Sequence, residues 1–127
     1  MKVTFKQPKV YDDLLQLYRS YWNIHKHLPK PFRMTTGEMI LHEISGCIKR
    51  VILANYVDKK ITVQREKAAG YLESVRADLV VIRGLLTVGW NMMFISHGNF
   101  MVLTTKLDEI EKQITRWHSW FLAGVDG

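Results

Sequence analysis

The sequence predicts an all-α protein, an up-down-up-down antiparallel four-helix bundle formed by residues 1–127 as one domain. Two observations lead to this fold class. Apolar residues recur at steps of three or four along four segments, a period that keeps their side chains on one helical face and does not suit a strand. The breaks between these segments are short, so consecutive helices should pack antiparallel and bury their apolar faces together.

The first helix is predicted over about residues 9–28. Pro8 suits its first turn, where a missing N–H costs nothing. Pro29 and Pro31 should stop the helix, because proline cannot continue the backbone hydrogen-bond ladder. The apolar stripe of this helix consists of Leu14, Leu17, Tyr21, Ile24 and Leu28.

The second helix is predicted over about residues 36–58. Thr35 and Glu38 have the spacing of a capping box, in which the threonine hydroxyl accepts the Glu38 N–H and the glutamate reaches back. The apolar stripe consists of Ile40, Ile44, Cys47, Val51 and Ala54. Cys47 is the only cysteine, so no intramolecular disulfide forms, and its place in the stripe predicts a small buried side chain rather than a reactive thiol.

The third and fourth helices are predicted over about residues 63–95 and 97–122. A gap at Gly89 interrupts the apolar stripe of the third helix. Ser96 is the predicted N-cap of the fourth helix, and Gly124 should end it. The two stripes consist of Leu72, Val75, Leu79, Ile82, Leu86 and Met93, and of Phe100, Leu103, Leu107, Ile110, Ile114, Trp117 and Phe121.

Positive charge is concentrated in the first half of the chain. Residues 1–63 contain eleven lysines and arginines against five acidic residues, a net charge of +6, whereas residues 64–127 contain seven of each. A basic half beside a neutral half favours a polyanionic partner such as nucleic acid. A basic surface that binds no such partner is the alternative.

No segment has the composition of a secretory signal or of a membrane span. Residues 1–6 lack the long apolar run of a signal peptide. Arg83 and Asn91 interrupt the most apolar window, residues 80–95. We therefore expect a cytoplasmic protein with no membrane partner.

The histidines and glycines form no motif that predicts metal, cofactor or catalytic chemistry. His25 and His27 point to different helical faces, and His42-Glu43 is followed by glycine at position 46, where a zincin motif has its second histidine. The glycines are scattered through helices rather than gathered in a phosphate-binding loop. The sequence thus predicts no metal site, no cofactor and no catalytic residue.

One spacing nevertheless resembles a catalytic motif. Arg19 and His25 are separated by five residues, which resembles the arginine–histidine motif of the HEPN ribonucleases, themselves helical bundles. That resemblance implies phosphate binding by the arginine and proton transfer by the histidine. In that family the motif usually lies late in the domain, whereas here it lies in the first helix. Two surface residues on a basic helix are the alternative.

Basic residues beside the predicted core seam are the candidate binding residues. Arg76, Arg83 and Trp90 share one heptad position of the third helix, where two guanidinium groups and an indole could bind phosphate and stack on a base. The alternative is pairing with acids of a neighbouring helix, such as Asp108, Glu109 or Glu111. The two interpretations differ in whether the arginines remain available to a partner.

A second group of cations could enlarge this basic face. Lys49 and Arg50 are adjacent in the second helix, and Lys30 and Arg33 lie beside the prolines. Each of these residues alone is an ordinary solvated charge. Together they extend the predicted binding surface from the third helix to the second, and to the connection that precedes it.

The four tryptophans indicate more apolar surface than one seam needs. Trp117 fits the stripe of the fourth helix, whereas Trp90 and Trp120 lie beside the stripes of their helices. A second buried face, and hence self-association, is the first interpretation of this excess. A wider core within one chain is the alternative.

Three segments resemble one family. Residues 28–38, Leu-Pro-Lys-Pro-Phe-Arg-Met-Thr-Thr-Gly-Glu, resemble the junction between the first two helices of the four-helix bundle proteins. That family includes the accessory variability determinant of diversity-generating retroelements (Avd) and proteins encoded in 23S ribosomal RNA intervening sequences. Further matches are Ala68, Arg76 and Arg83 in the third helix, and Leu107, Asp108, Glu109 and Ile110 with Trp117 or Trp120 in the fourth. The resemblance spans about residues 9–121 and fits the Avd branch better.

The resemblance implies a non-enzymatic protein that forms a homopentameric, barrel-like ring of four-helix protomers. Its partners would be a reverse transcriptase and structured template RNA, which it supports in mutagenic complementary-DNA synthesis. Arg76 and Arg83 match arginines of the family, so binding is expected there, while the matching Arg33 has a binding or a structural role. The neutral second half of the chain departs from the more basic members.

Two other functions stay open beside this one. The first is a HEPN-like ribonuclease that uses Arg19 and His25. The second is a plain helical interaction module of the 23S ribosomal RNA intervening-sequence type, which binds no nucleic acid. RNA cleavage that disappears on His25→Ala would distinguish the ribonuclease from both binding proteins.

Overall fold

Four helical segments make up the computed structural model, which describes residues 6–124. Residues 1–5, on which the expectation about a signal peptide largely rests, lie outside this range. The first helix is Lys9–His25, the third is Thr62–Asn91 and the fourth is His97–Ala123. The second segment, residues 30–56, consists of an α-helical turn Lys30–Phe32, a π-helical turn Arg33–Gly37 and the main α-helix Glu38–Tyr56.

The four helices pack into one bundle, which confirms the predicted fold class. Each helix contacts the next one in the chain, and the fourth helix returns to contact the first. Because neighbours in the chain are also neighbours in space and their connections are short, the arrangement is up-down-up-down. No strand occurs between residues 6 and 124, and no helix in that range has the length and apolar composition needed to cross a bilayer.

The predicted apolar stripes supply the core. Most of their members are buried, among them Leu14, Leu17, Tyr21, Ile40, Ile44, Cys47, Val51, Leu72, Val75, Ile82, Leu103, Leu107, Ile110 and Phe121. Full burial of a large aliphatic or aromatic side chain stabilises a fold by about 1.5–3 kcal/mol. The heptad period was therefore a sufficient guide to which face of each helix turns inward.

The junction between the first two helices differs from the prediction. The first helix ends at His25, and a new helix begins directly after Pro29 instead of at residue 36. Pro31 occupies its first turn, where no N–H is required. The predicted capping box is wrong, because Thr35 lies inside the continuing helix and its hydroxyl donates to the carbonyl oxygen of Pro31 at 2.6 Å.

The third helix ends at Asn91, four residues before the predicted end. Met93 has a φ of 64° and turns the chain back, so that the N–H groups of Phe94 and Ile95 both donate to the carbonyl oxygen of Gly89. A Cβ at Gly89 would lie 2.7 Å from Ile95 Cδ1 and 3.2 Å from Phe32 Cζ, so a larger residue there would require these side chains to shift. The prediction that Met93 is a core residue is wrong, because it is 89% exposed.

The fourth helix begins as predicted. The hydroxyl of Ser96 accepts the N–H of Asn99 at 3.1 Å, which satisfies one of the free donors at the helix start. The helix continues to Ala123, and Gly124 follows it. One end of the bundle consists of the junction around residues 26–37 and the turn at 92–96. The other end consists of the connection 57–61 and the end of the fourth helix.

Candidate nucleic-acid interface

The arginines expected to bind a partner, Arg76 and Arg83, lie between the third and fourth helices and are ion-paired there. Arg83 donates to the carboxylate of Asp108, and Arg76 lies 3.9 Å from a carboxylate oxygen of Glu111. Arg76 also contacts Glu73 of its own helix at 3.4 Å. The alternative of pairing across helices is therefore confirmed for both arginines, although their side chains remain 38% and 43% exposed.

The groove around these arginines has mixed charge over an apolar floor. It encloses about 430 Å³ and is lined by Glu73, Arg76, Ala77, Leu79, Val80, Arg83, Leu107, Asp108 and Glu111. Three carboxylates face two guanidinium groups, which leaves the groove with a net charge of −1. A polyanion in this groove would meet the carboxylates as well as the arginines, which weakens the attraction that the arginines supply.

The two adjacent cations of the second helix, Lys49 and Arg50, have different environments in the structure. Arg50 donates from Nη1 to Asp78 Oδ2 of the third helix at 2.5 Å, so its charge is used within the bundle. Lys49 is exposed and forms no ion pair with any residue between 6 and 124. Lys49 therefore stays a candidate contact, and Arg50 links the second helix to the third.

Lys30 and Arg33 lie at the start of the second helical segment, where the chain carries no acid. Residues 14–37 contain Arg19, Lys26, Lys30 and Arg33 but neither aspartate nor glutamate, and we call them the acid-free segment. None of these four cations forms an ion pair within the described part of the chain. Their charges therefore remain available to an external anion.

Arg19 and His25, the residues that resemble a ribonuclease motif, do not meet. Positions six apart on an α-helix differ by about 240° around its axis. Arg19 is exposed, whereas His25 is buried with Nδ1 3.3 Å from the hydroxyl oxygen of Tyr21. That hydroxyl donates to the carbonyl oxygen of Gly37 at 3.2 Å, and burial lowers the pKa of His25. The geometry gives the two residues no shared phosphate site.

The tryptophans have different environments. Trp117 packs against the core, as its place in the stripe predicts. Trp90 stacks on Phe100 with ring centroids 4.5 Å apart and an interplanar angle of 9°. Trp90, Trp120 and Trp22 all remain more than a third exposed. A single chain thus leaves part of its aromatic surface in contact with water.

Arg65 is a buried charged residue that the sequence reasoning missed. Its guanidinium donates to the carbonyl oxygens of Phe121, Trp120 and Lys59 at 3.1, 2.6 and 2.9 Å, and it lies 4.2 Å from the centre of the Trp120 ring. A Cβ at Gly124 would overlap it. Antiparallel packing could have indicated this role, because it places the first turn of the third helix beside the C-terminus of the fourth, where a cation is favourable.

Nothing in the described residues gathers groups for metal or thiol chemistry. Between residues 6 and 124 no three His, Cys, Asp or Glu side chains lie close enough to hold a metal ion. Burial raises the pKa of the Cys47 thiol to about 12, so it stays protonated and unreactive at neutral pH. Cys47 is a core residue, as the sequence predicts.

Comparison with known proteins places the chain in no family. No family model matches the sequence, and neither a curated protein nor a solved structure matches it. The distribution of paired and unpaired charge on the bundle is therefore the main structural indication of function.

Proposed function

We propose that this protein is a non-enzymatic accessory protein of a diversity-generating retroelement, which binds reverse transcriptase and structured template RNA as a homo-oligomer. The assignment to a retroelement rests on the resemblance of residues 28–38 and of the helices that follow to the Avd branch. The observation that carries RNA binding is the acid-free segment, whose cations have no carboxylate partner within residues 6–124.

Unpaired cations support binding to RNA through the release of counterions. Each phosphate that a lysine or arginine neutralises frees condensed cations, so affinity falls steeply as salt rises. Lys30, Arg33 and Lys49 supply such charges from the second helix. Several copies of this surface in one oligomer would raise the overall affinity for a long RNA without any new contact.

The paired arginines fit a protein partner better than a polyphosphate. The groove that contains Arg76 and Arg83 offers both signs of charge above Leu79, Val80 and Leu107. Protein interfaces combine apolar contact with matched charges of both signs. We therefore propose the reverse transcriptase for this groove and the RNA for the first two helices.

Exposed aliphatic side chains support self-association. The third helix leaves Val63, Val81 and Val88 exposed outside the groove, and Trp120 is half exposed at the end of the fourth helix. A second copy of the chain could cover these side chains, which would remove their apolar atoms from water. The pentamer is the assembly that the resemblance implies.

The solution mass tests the oligomer directly. Light scattering at moderate salt should give a mass near five times the protomer mass of 14.9 kDa. A monomer or dimer would overturn the pentameric ring and leave Trp90 and Trp120 as ordinary surface residues of one chain.

RNA binding and genome position test the remaining parts. Affinity for a structured RNA should fall by orders of magnitude between about 50 and 200 mM salt, and a salt-independent affinity would overturn the electrostatic account. A reverse transcriptase gene with paired repeats beside the coding sequence would support the retroelement. RNA cleavage that is lost in His25→Ala would overturn the non-enzymatic assignment.

A further inference from the structure

Three side chains of the first helix and that of Lys26, the residue that caps its C-terminus with helical backbone angles, form an exposed stripe outside the core. Leu15, Arg19, Trp22 and Lys26 follow one another at steps of four, three and four residues, so they share one face of the helix. All four are exposed, Leu15 by 36% and Trp22 by 48%. The buried face of the helix carries Leu14, Leu17 and Tyr21 instead. We call the four exposed residues the first-helix stripe.

The indole of Trp22 is oriented by rings of its own helix. It stacks on Tyr18 with centroids 6.3 Å apart and an interplanar angle of 10°, and on His25 with values of 6.0 Å and 20°. An open depression of about 510 Å³, lined by Leu15, Tyr18, Arg19 and Trp22, lies beside it. Both neighbouring rings are offset, with centroids about 6 Å away, and Trp22 remains 48% exposed, so part of the indole surface stays open to another flat ring.

Positive charge flanks the indole on both sides. Arg19 and Lys26 belong to the acid-free segment and form no ion pair with any residue from 6 to 124. Asp12, seven residues or about two turns before Arg19 on the same helix, ends the positive surface in that direction. In the other direction the charge continues through Lys30 and Arg33, so a bound polyanion should extend towards the second helix.

We propose that the first-helix stripe binds an unpaired segment of nucleic acid, with one base stacked on Trp22 and phosphates on Arg19 and Lys26. The two cations are seven residues apart, a rise of about 10.5 Å, and the indole lies between them. A base inside a duplex is already covered by its neighbours, so only an unpaired base can stack on the indole. The inference rests on the proposed RNA binding and names the part of the RNA that is recognised.

An anionic membrane is the competing partner for a stripe of cations with a tryptophan. A helix that lies in a membrane surface needs a broad apolar face towards the lipid. The first helix buries its apolar face in the core, and the stripe exposes only Leu15 and Trp22 between charges. The chemistry therefore favours nucleic acid, and anionic vesicles become one arm of the test.

The stacking part is tested with a short single-stranded RNA of mixed sequence and the duplex of the same sequence, both followed by fluorescence anisotropy. Trp22→Leu keeps an apolar side chain but removes the aromatic face, and should weaken single-strand binding about tenfold. The same variant should leave duplex binding unchanged. Trp22→Phe should retain most of the single-strand affinity, because it keeps an aromatic ring.

The phosphate part is tested by the salt dependence of the same binding. Arg19→Ala with Lys26→Ala should make the negative slope of log K (the association constant) against log salt shallower by about 1.4, the value for two phosphate contacts to a single strand. Lys67→Ala with Arg116→Ala is the matched control, because it removes the same charge from exposed positions of the third and fourth helices. The control should leave the slope unchanged.

Each contrary outcome overturns a defined claim. Unchanged single-strand affinity in Trp22→Leu, or an equal change of slope in the control, would overturn the stripe while RNA binding by the protein stands. Failure of the unmodified protein to bind either RNA would overturn the stripe and the proposed function together. Binding to phosphatidylglycerol vesicles without RNA binding would overturn the stripe in favour of a membrane. Circular dichroism checks that each variant keeps its helicity, and if Trp22→Leu loses it, the salt slope of Arg19→Ala with Lys26→Ala decides whether the stripe binds.

Discussion

The arginines of the acid-free segment and those of the third helix differ in whether the bundle supplies a partner for them. Arg65, Arg76 and Arg83 of the third helix all contact oxygens that the fourth helix supplies, either backbone carbonyls or carboxylates. Arg19 and Arg33 form no ion pair with any residue that the structure describes. The same type of side chain thus stabilises the bundle in the third helix and remains available to a partner in the acid-free segment.

The difference follows from the placement of acids rather than of bases. The fourth helix presents Asp108 and Glu111 towards the third, whereas the acid-free segment contains no carboxylate at all. A cation with a fixed partner in its own chain gives up part of its attraction for an external anion. Counting lysines and arginines therefore overstates the binding surface of the third helix and understates that of the first.

Arg65→Ala should produce the largest effect on stability. Its guanidinium satisfies three backbone carbonyl oxygens at the end of the bundle, and their loss should lower the free energy of unfolding by about 3 kcal/mol. Arg19→Ala, at an exposed position, should change it by less than about 0.5 kcal/mol. Chemical denaturation measures both, and equal values for the two variants would break the contrast between the halves.

RNA affinity should separate the unpaired cations from the paired ones. Lys30→Ala with Arg33→Ala should weaken binding about tenfold at moderate salt, because two free charges are lost. Arg76→Ala with Arg83→Ala removes the same charge but should weaken binding less than about threefold, since carboxylates already offset those arginines. Filter binding on a structured RNA compares the two, and a larger loss in the second variant would return the RNA site to the third helix.

Stability should fall on acidification because of His25. Burial lowers its pKa from the ordinary value of 6.5, with the charge of Glu38 opposing and that of Arg33 adding to the shift. As the pH falls below 6.5 the unfolded chain takes up a proton that the folded chain does not, so the free energy of unfolding decreases until the lower folded pKa is passed. In thermal melts over this range, the melting temperature should depend less on pH in His25→Gln than in the unmodified protein. An unchanged pH dependence would contradict the assignment of this effect to His25.

Removing both paired arginines should destabilise the bundle less than removing Arg65 alone. Arg76 and Arg83 are partly exposed, and such ion pairs contribute about 0–1 kcal/mol each. The double alanine variant should keep its helical circular dichroism signal and lose less than about 2 kcal/mol in denaturation. A loss of helicity would assign these arginines to the fold rather than to a partner surface.

The extent of successful prediction depended on how local each feature is. The burial of Leu72 and Cys47 and the cap at Ser96 follow from patterns within a few residues, and all three were confirmed. The start of the second helix was misplaced because Thr35 and Glu38 match a capping box while the preceding residues already form a helix. Met93 was misplaced because the third helix ends at Asn91 and the positive φ of Met93 puts it in the turn that follows, outside the apolar stripe.

For the candidate site, too, the sequence identified local features and missed contacts between residues that are distant in the chain. The sequence identified the cations Lys30, Arg33, Arg76 and Arg83, together with the possibility that the last two are paired. It missed Arg65, whose carbonyl partners lie more than fifty positions away in the chain, apart from that of Lys59. It also treated Arg19 only together with His25, although the helix separates them.

The sequence by itself determined the fold class, the inward face of each helix and the lack of acids in residues 14–37. These properties follow from composition and from the period of 3.6 residues per turn, which are local. Only the tertiary structure decided which charges are paired, because the partner of Arg83 or of Arg65 is fixed by which helix lies beside it. Electrostatic attraction depends on distance in space, and the position of a residue in the chain does not report that distance.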